Sequence, residues 1–331
     1  MQPRPGWWNG GSIPTSPRLK KERYLIKILH DFITSQVGPR VGYFLGSKLP
    51  QSWAYALADF LARVLASRKN SQLYRSIRGN QAVIRDLPYD SSDLDDVVFR
   101  VLQHAGRGYV DWFQAMVDDD DFEAKYCSID EHMITQAKQA SLEGHGVIFV
   151  GAHMSSFNLF MVMMARRGLP MQVLSYHDVH GSYIAENDLR RKVGVEITPI
   201  SNESLRKAIR RLKAGGFVVT GVDRSDLGGI PLDFFGRKVV LPIGHARMAI
   251  RTNSYLVLGV VQKDGDGKYH VTGPGILIPE RSGDDSQDTL RLAQRTIEIL
   301  EGYIRQRPEE WMMFLPIWPE VIPAPTASKL H

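Results

Sequence analysis

Apolar residues recur at three- and four-residue spacing through Arg23–His30 and Ser52–Ala66, which predicts amphipathic helices, the second opened by Pro50 and Ser52. Arg75–Arg85 continues the helical pattern and stops at Pro88. Ser91 or Ser92 is placed to cap a further helix through His104, because Asp93, Asp95 and Asp96 fall in its first turn, where carboxylates meet the positive end of the dipole. From about residue 144 the pattern changes. Short runs at Val147–Val150, Gln172–Tyr176, Glu196–Ile200, Phe217–Val222, Tyr255–Gln262 and Tyr269–Thr272 predict strands. Helical stretches Phe157–Arg167, Asn187–Lys192, Ser204–Lys213, His245–Arg251 and about Ser286–Arg305 accompany them. Such alternation predicts an α/β fold, a mostly parallel sheet flanked by helices, with a helical N-terminal region. Asp264-Gly265-Asp266-Gly267 reads as the turn of a hairpin. The expected divisions are a flexible leader over 1–18, a helical region over 19–140 packing on the core, the α/β core over 141–320 and a flexible tail over 321–331.

The longest stretch without Asp, Glu, Lys or Arg, Gly144–Ala165, has the length of a membrane span. Gly151, His153, Ser155, Ser156 and Asn158 interrupt it, and its first half reads as a buried strand turning into a helix, so a spanning segment is not expected. The leader carries Pro3, Pro5, Gly6, Gly10, Gly11, Pro14 and Pro17 and no apolar run, so a secretory signal is not expected there. Trp7 and Trp8 within it fit either an irregular tail or an interfacial anchor.

With 331 residues, 43% of them hydrophobic and 23% charged, wholesale disorder is excluded. Cys127 is the only cysteine, which excludes a disulfide framework, and its surroundings fit an idle thiol better than a nucleophile. The net charge of +5 suits an anionic partner without selecting one. Charge is segregated: Asp86–Glu123 holds eleven acidic and two basic residues, Arg190–Lys213 eight basic and two acidic. Both runs fit solvated faces, but the basic one lies beside the sheet edge where ligands collect and is the better candidate for phosphate or headgroup contact. No Gly-rich phosphate loop follows a strand, and nucleic acid is not an expected partner. His177-Asp178-Val179-His180 lacks a third metal ligand at helical spacing and reads as a surface loop, so no metal site is expected. Met161, Met163 and Met164 fit core packing or the wall of an acyl groove.

The segment Val147-Ile148-Phe149-Val150-Gly151-Ala152-His153-Met154-Ser155-Ser156-Phe157-Asn158 concentrates the candidate chemistry. A buried strand ends, the backbone turns at Gly151, and His153 stands where the next helix is expected to begin. Ligands gather outside the carboxyl ends of parallel strands, and a histidine there is suited to general-base work near neutral pH. Asn158, five residues on, is placed to accept from the imidazole and fix its tautomer. The same residue types also serve as plain caps or core hydrogen-bonders, so the segment alone leaves both roles open.

Further blocks extend the pattern. Arg78-Gly79-Asn80 and Leu87-Pro88 precede it; Gly215–Arg224, Phe234-Phe235-Gly236-Arg237, Leu241-Pro242-Ile243-Gly244-His245-Ala246 and Arg307-Pro308-Glu309-Glu310-Trp311-Met312 follow in order. Across roughly residues 24–318 the set resembles the lysophospholipid acyltransferase superfamily, in its branch of lipid A biosynthesis acyltransferases and phosphatidylinositol mannoside acyltransferases. His153 and residue 158 match its H-x4-D/E dyad.

The resemblance implies a glycerolipid acyltransferase-like fold and transfer of a fatty acyl group from acyl-CoA or acyl-carrier protein to a hydroxyl of a lipid or glycolipid. His153 is then the base and Asn158 its partner. Arg190, Arg191, Asp223, Arg224 and Gly244 are the implied substrate-binding positions. No bound cofactor is implied, and the expected location is peripheral, on the cytoplasmic face of the cell membrane. This sequence departs from the pattern twice. Asn158 replaces a carboxylate, and an amide can orient an imidazole without stabilising its cation; the alternative is therefore a weakened relative serving as a lipid-binding or assembly protein. Phe314-Leu315-Pro316-Ile317-Trp318 stands where lipid A enzymes usually show His-Arg-Arg, which leaves the acceptor open.

Overall fold

A computed structural model describes residues 37–118, 121–176, 181–225 and 228–324. Arg23–His30, the leader with Trp7 and Trp8, the His177–His180 loop and residues 325–331 lie outside them. Within the described residues the helical region contains α1 (Val37–Lys48), α2 (Gln51–Ala66), α3 (Gln72–Ile84) and α4 (Asp93–Ala115). Ser92 stands at the N-cap of α4 but gives it no side-chain hydrogen bond, so the acidic first turn alone carries the expected signal. The short α5 (Phe122–Lys125) leads into β1 (Cys127–Ile129) and α6 (Glu131–Leu142).

The α/β part runs β2 (Val147–Gly151), α7 (Asn158–Arg166), β3 (Met171–Ser175), α8 (Ser182–Lys192), β4 (Glu196–Pro199), α9 (Asn202–Lys213) and β5 (Phe217–Gly221). It continues with β6 (Ile230–Phe234), β7 (Arg237–Leu241), α10 (Gly244–Thr252), β8 (Tyr255–Lys263), β9 (Tyr269–Leu277) and α11 (Asp285–Gln306). Seven strands form one sheet in the order β1-β9-β8-β2-β5-β3-β4. Every neighbouring pair is parallel except the β8–β9 hairpin. β6 and β7 form a separate two-stranded hairpin whose turn, Phe235-Gly236, has both residues in the left-handed region (φ 53° and 71°), as a two-residue loop matched to strand twist requires.

The strands bury alternate residues on opposite faces. Ile148, Val150, Val218, Leu256 and Leu258 meet α9, α10 and α11 through Ala208, Leu212, Ala249 and Ile297. Val147, Phe149, Phe217 and Val257 meet α4, α6 and α7 through Trp112, Met133, Leu159 and Met163. The methionines of α7 are therefore core; Met161 also lines the cavity described below.

Two expected divisions are altered. The region assigned as helical, 19–140, supplies β1, which pairs in register with β9 and forms the sheet's edge, so the two parts share one sheet. At the other end, Ile322 lies against α3: a β-carbon on Gly79 would stand 2.7 Å from it, so the expected tail starts as packed chain. α3 holds the preceding segment through Asn80, whose Nδ2 donates to the carbonyls of Met313 (3.0 Å) and Leu315 (2.8 Å) and whose Oδ1 accepts from Ile317 N–H (3.0 Å). Gln81 Nε2 donates to the Pro308 carbonyl at 2.7 Å.

Candidate active site

β2 and β5 are parallel neighbours with Gly151 opposite Gly221. Two residues beyond each, at equivalent heights above the carboxyl edge, stand His153 and Asp223. Matched register therefore delivers a base and an acid, seventy residues apart in sequence, to one point. His153 Nδ1 and Asp223 Oδ1 are 2.7 Å apart, and Asp223 Oδ2 accepts from the backbone N–H of His153 and from Trp311 Nε1, each at 2.8 Å. Asp223 is 1% exposed while the His153 side chain keeps 28%, so the acid is hidden and the imidazole accessible. Burial opposes ionisation of Asp223, but His153 and the N–H donors outweigh it and hold the carboxyl below its ordinary range. Gly221 leaves room for the ring: a β-carbon there would lie 3.0 Å from His153 Cε1.

The backbone around the imidazole is clamped. Met312 N–H donates to the His153 carbonyl (2.8 Å), Ser155 N–H to the Glu310 carbonyl (2.7 Å), and Met154 forms an isolated bridge with Trp311. Ser155 takes φ 48° with its side chain buried, and Ser156 Oγ bonds the Gly108 carbonyl of α4 at 2.8 Å. The turn that sequence places at Gly151 is made at Ser155; Gly151 ends β2, where a β-carbon would meet the Gly259 carbonyl at 2.7 Å.

A cavity of about 980 Å³ opens in front of His153, at the upper end of the range for ligand sites. Its walls are apolar and come from α1, α2, α4 and the sheet; its polar end holds His153, Glu186, Arg190, Tyr176, Tyr183 and Arg224. Arg224 lies over the Tyr176 ring (4.4 Å) and donates to the Tyr183 hydroxyl. Arg190, 8% exposed, donates through Nε to Asn158 Oδ1 (2.9 Å), through Nη1 to Asn187 Oδ1 (2.8 Å) and through Nη2 to Glu186 (3.2 Å). Burial pushes the Glu186 carboxyl up, against the pull of Arg190, the Tyr109 hydroxyl and His153.

The expected Asn158–His153 hydrogen bond is thus replaced. Residues 152–157 are not helical and Asn158 is the first residue of α7, so its amide turns to Arg190 and Asp223 takes the place behind the imidazole. Asp223, expected at substrate, is buried against His153 and does not line the cavity. Arg190 and Arg224 reach the cavity; Arg191, ion-paired with Asp188 at 3.0 Å, and Gly244, opening α10, do not line it. Trp311, quoted in the sequence only as part of the block Arg307–Met312, and Glu186 carry parts of the site for which the sequence assigned them no role. For Trp311 the available signal was the indole N–H, which needs a partner when buried; for Glu186, its place one turn before Arg190. Cys127 is buried and its thiol is pushed up by burial, in keeping with an idle role. Among the described residues no three His, Cys, Asp or Glu side chains are grouped to hold a metal ion, and no helix is long and apolar enough to cross a membrane.

The family pattern described as Bacterial lipid A biosynthesis acyltransferase matches residues 27–320. A phosphatidylinositol mannoside acyltransferase of Mycobacterium tuberculosis (strain ATCC 25618 / H37Rv) is 26% identical over 184 residues, 53% of this chain and 55% of that protein. Its counterpart in strain CDC 1551 / Oshkosh is 25% identical over 181 residues, with the same coverage. A dihydroorotate dehydrogenase (quinone) of Neisseria meningitidis serogroup B is 26% identical over 132 residues, 39% of this chain and 36% of that protein. The chain spans little more than half the length of the mycobacterial relatives.

Proposed function

We propose that this chain, which belongs to the bacterial lipid A biosynthesis acyltransferase family, transfers a fatty acyl group from an acyl thioester, acyl-CoA or acyl-carrier protein, to a hydroxyl of a lipid or glycolipid. The observation that supports this reading above others is an accessible imidazole backed by a buried carboxylate and facing an apolar cavity. Nδ1–H donates to Asp223, which leaves the Nε2 lone pair for substrate. Nε2 takes the acceptor hydroxyl's proton as that oxygen attacks the thioester carbonyl. The tetrahedral intermediate then collapses, the C–S bond breaks, and the proton passes to the departing thiolate. Asp223 stabilises the imidazolium between these steps without taking the proton. Arg224, which lines the cavity, is assigned to a phosphate of donor or acceptor.

The reaction is read as running without a resident cofactor or metal, by a protein lying peripherally on the cytoplasmic face of the cell membrane. A lipid-binding relative weakened at residue 158 is the less supported reading, because Asp223 and not Asn158 stands behind the imidazole. The test is acyl transfer from radiolabelled acyl-CoA or acyl-carrier protein to lysolipid and glycolipid acceptors, wild type against His153→Ala. Turnover should fall by about two to four orders of magnitude with an unchanged circular dichroism spectrum. Undiminished turnover in the folded variant would remove His153 as base.

A further inference from the structure

α8 presents Tyr183, Glu186 and Arg190 to the cavity; spacings of three and four residues put them on one helical face. Among the described residues, Glu186 brings the only carboxyl group that lines this cavity. Its side chain is 14% exposed. Oε2 accepts from Arg190 Nη2 at 3.2 Å and from the Tyr109 hydroxyl at 3.5 Å, whereas Oε1 has no hydrogen-bond partner among the described residues. One carboxylate oxygen is thus committed to the protein and the other is left to the cavity.

Charge balance accounts for the committed oxygen alone. Arg190 is buried and gives its other hydrogen bonds to neutral amide oxygens, those of Asn158 and Asn187, so Glu186 is the anion that offsets it. Oε2 is enough for that. Once a lipid displaces water from the cavity, Oε1 becomes an unpaired acceptor in apolar surroundings, which opposes binding unless the lipid supplies a donor. An acyl chain and its thioester carry no donor, and the hydroxyl under attack gives its proton to His153. The donor that remains is a further hydroxyl of the acceptor.

We propose that Glu186 selects the acceptor: while one hydroxyl loses its proton to His153 Nε2, Glu186 Oε1 takes a hydrogen bond from a second hydroxyl of the same headgroup. The acceptor so selected is a polyol headgroup, such as a sugar ring, over a lipid that carries a single alcohol. Glu186 exchanges no proton in this scheme and acts on specificity, because a site built to receive a hydroxyl rejects the analogue that lacks it. Its effect on turnover rests on the acyl-transfer reading; its effect on binding does not.

The test offers the purified full chain two acceptors with the same tail, dodecyl β-glucoside and 1-dodecanol, with radiolabelled palmitoyl-CoA or palmitoyl-carrier protein as donor. Equilibrium dialysis measures binding of the same two compounds without donor. Wild type should favour the glucoside in kcat/KM and in binding. In Glu186→Ala that preference should shrink on the order of 10- to 100-fold, the worth of a hydrogen bond to a charged group. Glu186→Gln keeps an oxygen acceptor without the charge and should hold the preference within about tenfold of wild type. Circular dichroism checks the fold of each variant, and if Glu186→Ala does not fold, wild type against Glu186→Gln decides by whether the preference drops. Equal treatment of the two acceptors by wild type overturns the inference. So does a loss of equal size on both acceptors in the variants, which would leave Glu186 as the counter-charge of Arg190 and nothing more. Preferential binding of the glucoside that depends on Glu186, with no acyl transfer to either compound, upholds the inference and removes the acyl-transfer reading instead.

Discussion

Asp223 serves two masters with one carboxylate: Oδ1 holds the imidazole, and Oδ2 holds the backbone of His153 and the indole of Trp311. In Asp223→Asn an amide replaces an ionised acceptor, and the charge opposite the imidazolium is gone. Turnover should fall by about two to four orders of magnitude, with KM changing much less. Asn158→Asp keeps an acceptor for Arg190 Nε and touches nothing on His153, so steady-state kinetics should find it within about tenfold of wild type. The reverse ranking would return the dyad to position 158. The place of His153 at the carboxyl edge of the sheet is legible in the sequence, because the buried run Val147–Val150 ends just before it. Its partner is not, because a spacing of five implies contact only where the chain is already helical, and here the helix starts at residue 158. Asp223 is recoverable only once β2 and β5 are known to be in register.

Among the elements, α3 carries a burden out of proportion to its position. Asn80 satisfies three backbone groups of the segment 313–317, and this segment continues directly from the residues that clamp His153. Asn80→Ala strands buried donors and acceptors and should cost about 3 kcal/mol in urea unfolding. The same variant should lower turnover under conditions where it remains folded, because Met312 and Trp311 lose their backing. Arg78-Gly79-Asn80 and Arg307–Met312 stand out in the sequence as separate blocks; their meeting is a property of the fold. Long or strongly apolar elements such as β2, β5, α9 and α11 are readable from periodicity. β1 is three residues long and too brief to give a period, and the β6–β7 turn puts Phe235 at positive φ, where glycine would be the expected signal.

Across the whole molecule, the two faces of one sheet form two cores, and the one beneath α10 adjoins a pH-sensitive group. His245 is 2% exposed, neither ring nitrogen has a hydrogen-bond partner among the described residues, and burial pushes the imidazole down to about 4. Above about pH 6.5 both folded and unfolded chains leave it neutral and it adds no pH dependence. Between 6.5 and 4 the unfolded chain binds a proton that the folded chain refuses, so stability falls as pH falls, by about 1.4 kcal/mol per pH unit and roughly 3 kcal/mol in all. Thermal melts from pH 7 to 5 should show this decline, and His245→Phe should flatten it.

The alternation of strands and helices announces the α/β class, yet it places a boundary near residue 140 that the sheet ignores. β1 is lent from ahead of that boundary to cover the outer side of β9. A shortened protein starting at 141 would leave β9 with a bare row of amides and carbonyls beside Tyr269 and Val271, an open template for pairing with other chains. Any trimmed version meant to stay in solution therefore has to begin no later than Asp121, which caps the turn of helix leading into that borrowed strand.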